Sequence, residues 1–314
     1  MASTSIHALL HGLIDYAGLF PPASLPMNKA LETFSLHAAG NNQEALARFI
    51  VPMKRLGEWS TCAKAYLAKQ PPSDDQPAPD ALRLSVLIDD NLAVELDEIE
   101  DFNRAHEIGS GKHKHAHSAE IDTIELKVQT TDIIDEAIEL LPEELYPFFE
   151  IPADADFRGF AAALAGTGFG AKLRTGGVRP EQFPASEVVA EFIMAMHAAE
   201  VPFKATAGLH HPIRASYPLT YEVGSACWTM HGFANLFLAA GYVRHARFDA
   251  KMTVAMLNET DPLAFKFSDA GATYKGRLLT TDQIRDTREN FAICFGSCSF
   301  DEPLAECQKL GWLK

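Results

Sequence analysis

The chain is poor in the features that mark most specialised proteins. Cysteine is scarce: Cys62, Cys227, Cys294, Cys298 and Cys307 are an odd number in 314 residues, and none forms a Cys-x-x-Cys pair. That spacing offers no disulfide framework and no zinc-finger pattern, so a reduced, cytoplasmic protein is expected. Long apolar runs are also missing. The longest, near Gly232 to Val243, falls short of the roughly 20 residues a membrane-spanning helix needs and reads as a buried helix. The opening stretch MASTSIHALLHGLIDYAGLF carries no basic region ahead of its apolar residues, which predicts no secretory leader. Basic residues are in deficit, 27 Lys and Arg against 42 Asp and Glu, and the net charge of −15 disfavours nucleic acid and anionic membrane as partners.

Several catalytic signatures are absent as well. No Gly-x-Gly-x-x-Gly follows the first strand-like run, which weakens a dinucleotide fold. Gly109-Ser110-Gly111-Lys112 lacks the full spacing of a phosphate loop and follows a helix pattern instead of a strand. There is no His-Glu-x-x-His and no serine nucleophile elbow, and Cys298 has no evident base beside it, so Ser or Cys nucleophiles are not expected. His113, His115 and His117 alternate as metal ligands on a strand would, but the surrounding Gly, Ser and Lys read as a solvated loop. Neither a metal nor a cofactor is expected.

What is present is a rhythm. Strand-like runs at RFIVPM (Arg48 to Met53), LRLSVLID (Leu82 to Asp89), IDTIELKVQ (Ile121 to Gln129), LYPFFEIP (Leu145 to Pro152), FGAKLRTGG (Phe169 to Gly177), VPFKATAG (Val201 to Gly208) and FAICFGSCSF (Phe291 to Phe300) alternate with helical patterns. A weaker strand lies between Phe265 and Leu279. About eight alternations in a chain of this length predict an α/β fold, a (β/α)8 TIM-type barrel, as a single domain over residues 1–314. Residues 1–46 read as an N-terminal extension, in which Asp15 and Tyr16 either reach a site or cap the core, the second being the expected role. Residues 215–262 read as a helical insertion, over the barrel or between copies of the chain.

Against the acidic background, the runs around Lys172 and Lys204 are cationic. Strand parity puts Lys172 and Arg174 on one face and Ala171, Leu173 and Thr175 on the other. Helices cover the outside of such a strand, so the charged face points inward. Applied at every strand end, where barrel active sites lie, parity gathers Asp89, Glu125, Lys127, Glu150, Lys172, Arg174 and Lys204, with His210 and His211 just beyond. Cations left over after pairing, with glycines beside them, favour a site over a plain ion network. A lysine crowded by a second cation loses proton affinity and becomes a nucleophilic amine.

These segments resemble class I aldolase barrels of the deoxyribose-phosphate aldolase type. FGAKLRTGG is similar to the family's Schiff-base strand. PFKATAGLHHPIR is similar to the next strand, with its second lysine. FAICFGSCSF is similar to the last strand, which binds the substrate phosphate. The resemblance implies that Lys172 forms an imine and that Lys204 lowers its pKa. It also implies that Gly296 and Ser297 cradle an anion, with help from Thr175, Gly176 and Gly177. Glu125 stands as the positional counterpart of the catalytic aspartate. The leading expectation is therefore an enzyme acting on a small phosphorylated or carboxylated metabolite, an aldolase-like carbon–carbon lyase. Glu125 or Glu150 moves protons, and Arg174, His210 and His211 hold the anion. The alternatives are a divalent-metal enzyme using Glu125, Glu150, His210 and His211, a phosphoribosyltransferase-like barrel, or a barrel that binds a metabolite without turnover.

Overall fold

A computed structural model describes residues 3–67, 80–108 and 116–313 of the chain. His113, His115 and nearly all of the Pro- and Asp-rich segment from Gln70 to Asp80 fall outside the described residues, as do Gly109 to Lys112. Eight parallel strands close into a barrel in sequential order: β1 (Ile14–Tyr16), β2 (Leu46–Pro52), β3 (Leu82–Leu87), β4 (Ala119–Lys127), β5 (Tyr146–Ile151), β6 (Gly170–Arg174), β7 (Phe203–Thr206) and β8 (Ala292–Ser297). Pairing of β1 with both β8 and β2 completes the ring. The expected α/β barrel is thus the fold.

Helices follow the strands: α1 (Thr4–Leu10) precedes the barrel, then come α2 (Met27–Ala38), α3 (Leu56–Ala63), α4 (Leu92–Ala105), α5 (Thr131–Leu140), α6 (Phe157–Leu164), α7 (Ser186–Ala198), α8 (Phe233–Ala246), α9 (Ala250–Leu257), α10 (Thr281–Asn290) and α11 (Asp301–Lys309). None of the described helices is long and apolar enough to cross a membrane. Local chemistry sets several of the helix starts. The Asp156 carboxylate accepts the Arg158 N–H ahead of α6 at 3.1 Å, and Thr280 with Gln283 forms a reciprocal capping box on α10. Outward-facing strand residues meet inward-facing helix residues in an aromatic layer. Phe157 of α6, Phe192 of α7, Phe203 of β7 and Phe291 pack edge to face with centroids 5.1 to 5.3 Å apart. Each such ring, fully buried, contributes about 1.5–3 kcal/mol. At the N-terminal end of the barrel the guanidinium of Arg288 donates to the carbonyls of Leu9, His11, Ala292 and Ile293 and closes the floor.

Three expectations need correction. The segment 1–46 is not simply an extension, because it contains β1. Its three residues are all buried, and one of them is Asp15, so hydrophobic alternation gave it no signal. The segment 215–262 is not helical throughout. An antiparallel hairpin, Ala215–Pro218 with Cys227–Met230, comes first, and its exposed Trp228 mimics a helix-core residue in sequence. The weak strand before Leu279 is a three-stranded meander, Phe265–Ser268, Gly271–Tyr274 and Arg277–Thr280, that stands outside the barrel. Within the stretch read as an insertion, α8 lies between α7 and α10 and packs on β8. The stacked rings of Phe233 and Phe295, 5.5 Å apart, join it to the barrel wall.

Candidate active site

Parity along β6 and β7 puts Lys172 and Lys204 on the inner face, and the register pairs them on neighbouring strands. Glu150 of β5 stands in register with Lys172, and Glu125 comes from β4. Asp15 enters from β1. The result is a continuous chain of alternating charge. Lys204 Nζ donates to Asp15 Oδ2 at 2.5 Å and to Glu125 Oε1 at 2.7 Å. Lys172 Nζ meets Glu125 Oε2 and Glu150 Oε2, each at 2.5 Å. Arg174 Nε stands 3.6 Å from Glu150 Oε1. Further donors complete the acids: Ser85 Oγ to Glu125 Oε1 at 2.7 Å, Cys294 Sγ to Asp15 Oδ2 at 3.1 Å, and the Arg48 backbone N–H to Asp15 Oδ1 at 3.1 Å.

Burial decides how these charges behave. Taking an ion out of water costs several kcal/mol, which only close partners offset. Burial alone would raise the Glu125 carboxyl, but the charges of Lys172 and Lys204 outweigh it and hold the group well below the usual range. Glu150 is held low in the same way, with burial opposed by Lys172. Burial would lower Lys204, yet Asp15 and Glu125 outweigh it and raise the ammonium. Burial lifts the Cys294 thiol to about 12, with the Asp15 charge adding to it, so it stays a neutral donor.

The expectation of unpaired cations is therefore corrected, since both buried lysines are paired. Nor does Lys204 press on Lys172 directly: Glu125 bonds both and stands between them. What sets the arrangement apart from a structural ion network is its outlet. A cavity of about 180 Å³ lies at the C-terminal ends of the strands, lined by Glu125, Lys172, Arg174, Gly177, His210, Gly296 and Cys298 among others. Lys172 reaches this cavity, while Lys204, with no exposed surface, does not line it. Arg174, its side chain 44% exposed, is free to turn toward a ligand.

The remaining expected residues divide. Thr175 is committed to the fold, donating through Oγ1 to Ala207 O at 2.7 Å. Gly176 packs on Gly208, where a Cβ would meet the Gly208 Cα at 2.7 Å. Ser297 donates to Ser299 O at 2.6 Å. Gly296 lines the cavity, and beyond Ser297 α11 begins with Asp301 and Glu302. His211 stacks on Tyr217 at 3.4 Å and bonds Glu306 at 2.7 Å, outside the cavity. Asp89 and Lys127 do not line this cavity: Asp89 accepts the Lys54 N–H at 3.2 Å, and Lys127 is exposed beside the same separate groove. Glu125, Glu150, His210 and His211 do not converge as metal ligands, because the acids are taken by lysines and the imidazoles by Glu302 and Glu306. Among the described residues no three His, Cys, Asp or Glu are placed to hold a metal ion.

Cys298, set aside for want of a neighbouring base, has one. Its Sγ lies 3.8 Å from His210 Nε2, and His210 Nδ1 lies 3.0 Å from Glu302 Oε2. Tyr221 OH, from the hairpin, donates to Glu302 at 2.9 Å and stands 3.8 Å from the same sulfur. Burial pushes His210 down, but its bonds to Cys298 and Glu302 outweigh that and bring it up to about 9. Sequence spacing carries no trace of this group, since its members are 88 and 92 residues apart.

Compared with models of known protein families and with curated protein sequences, the chain matches none. Fold and site together define an α/β barrel whose mouth cavity opens onto a buried chain of ion pairs.

Proposed function

We propose that the protein is a carbon–carbon lyase of the class I aldolase type, acting through Lys172 on a small carbonyl compound that carries a carboxylate or phosphate. The observation that carries this reading is the difference between the two lysines: Lys172 lines the cavity and Lys204 is sealed beneath it. An amine at a cavity edge can attack a carbonyl carbon, lose water and hold the product as an iminium, which serves as the electron sink for bond cleavage. The Lys172 ammonium must first give up a proton. Glu150 is the acceptor with an outlet, because it also borders a groove shared with Arg174 and Gln182. Glu125, clamped by Lys204 and Ser85, fixes the direction of the Lys172 chain. Arg174 supplies a fork of donors for the substrate anion.

Borohydride reduction in the presence of small aldehydes, ketones and their phosphates, followed by peptide mass mapping, tests the reading. The expected result is one reduced adduct on the Lys172 peptide, lost in Lys172→Ala. A folded protein that yields no adduct on Lys172 overturns it, and an adduct on Lys204 reverses the roles of the two lysines.

A further inference from the structure

The mouth cavity holds a second reactive group that imine chemistry does not use. Cys298 is nearly buried, lines the cavity with His210 and Lys172, and sits just past the end of β8, two strands round the barrel from Lys172. An imidazole bonded to a carboxylate through Nδ1 presents Nε2 outward in a fixed direction, and here Nε2 faces the sulfur. We propose that Cys298, His210 and Glu302 form a nucleophilic cysteine centre that cleaves small esters or thioesters. Cys298 is the nucleophile, His210 its proton carrier and Glu302 the residue that positions the imidazole.

The step balances with water as the one co-reactant. Sγ attacks the acyl carbon while its proton is held on His210 Nε2, and the carbonyl electron pair moves onto oxygen. When that pair returns, the bond to the leaving alkoxide or thiolate breaks, and His210 Nε2 protonates the leaving group. Water then attacks the resulting thioester, gives its proton to His210, and releases the carboxylic acid and the thiol. A cavity of about 180 Å³ admits an acyl group of only a few carbons. Arg174, on β6 two strands round the barrel, lines the same cavity and favours an acyl group that ends in a carboxylate. Tyr221 OH donates to Glu302 Oε2, the same oxygen that meets His210 Nδ1, and ties the loop before the hairpin's second strand to this centre.

The full-length protein mixed with 4-nitrophenyl acetate provides the test. The expected result is a burst of one nitrophenolate per chain, with the acetyl group on the Cys298 peptide. Cys227, the exposed thiol, is the internal reference, and Cys227→Ser leaves the burst intact. His210→Gln slows the burst by about 100-fold, the usual share of a positioned acid–base group. Glu302→Gln slows it less, and Glu302→Asp restores part of the rate, which a purely structural carboxylate would not do. Acetyl found only on Cys227 or Lys172, or a folded His210→Gln protein that bursts as fast as the parent, overturns the proposal. The borohydride adduct and the acetyl adduct are read on different peptides, so either assignment fails without the other.

Discussion

Lys204 has no exposed surface, and its three surroundings explain why it keeps its charge: Asp15 at 2.5 Å, Glu125 at 2.7 Å and the Phe148 ring at 5.3 Å. Removing that charge leaves two carboxylates facing each other in a place water reaches poorly. Lys204→Met is therefore expected to cost about 3–5 kcal/mol in urea unfolding at pH 7, the cost of breaking a buried pair from one side. Lys172→Met is expected to cost less, because Glu150 borders an open groove and can be rehydrated. Equal losses at the two positions would contradict this layering. At this scale the sequence spoke unevenly. Inward lysines on short strands stand out by parity. Asp15 does not, since one acid between Ile14 and Tyr16 looks like any strand end. Ser85 shares a face with Asp89 by parity, but a lone serine carries no sign of its bond to Glu125 at 2.7 Å.

Two turns shape one wall of the cavity, and they hold each other in place. Residues 175–178, after β6, lie against residues 206–208, at the end of β7. Thr175 N donates to Thr206 O at 2.8 Å, and Thr175 Oγ1 to Ala207 O at 2.7 Å. Gly208 has φ +73°, and a Cβ there would come within 2.8 Å of Gly176 Cα and 2.9 Å of the Phe183 ring. Gly208→Ala combines left-handed strain with a backbone collision, and a loss of roughly 2–3 kcal/mol is expected. Because Gly177, Val178, Ala207 and Gly208 line the cavity, the same change is expected to weaken borohydride trapping at Lys172 more than a surface substitution of equal thermal cost. Trapping that tracks melting temperature alone would remove the turns from the site. Elements of this kind were half legible. Strand and helix alternation between Arg48 and Gly208 follows hydrophobic period, and the barrel follows from the count. The hairpin from Ala215 to Met230 was not legible, because its aromatic residues imitate a helix face. The meeting of Cys298, His210, Tyr221 and Glu302 depends on barrel closure, which local pattern does not encode.

Across the whole molecule two electrostatic effects oppose each other in acid. At neutral pH the net charge of −15 makes the surface repel itself, and protonation relieves that repulsion. The paired carboxyls act in the other direction. Glu125, Glu150 and Glu302 are each held below the ordinary 4.5 by their cationic partners, against the effect of burial. A group whose folded value is depressed contributes its stability above the unfolded value. It loses that contribution as pH falls from 4.5 toward the folded value, where the unfolded chain binds protons the folded chain refuses. His210, raised to about 9, has the opposite sign and contributes fully below 6.5, so it does not offset the acid loss. Surface repulsion is screened over about 8 Å at physiological salt, whereas the barrel network is sheltered from ions. The urea midpoint is thus expected to hold or rise slightly from pH 7 to pH 5 and then to fall steeply below pH 4.5. Added salt is expected to change the first part of the curve and leave the fall in place. A midpoint that goes on rising toward pH 3 would mean that surface charge, and not the ion-pair chain across the barrel mouth, governs the stability of this protein.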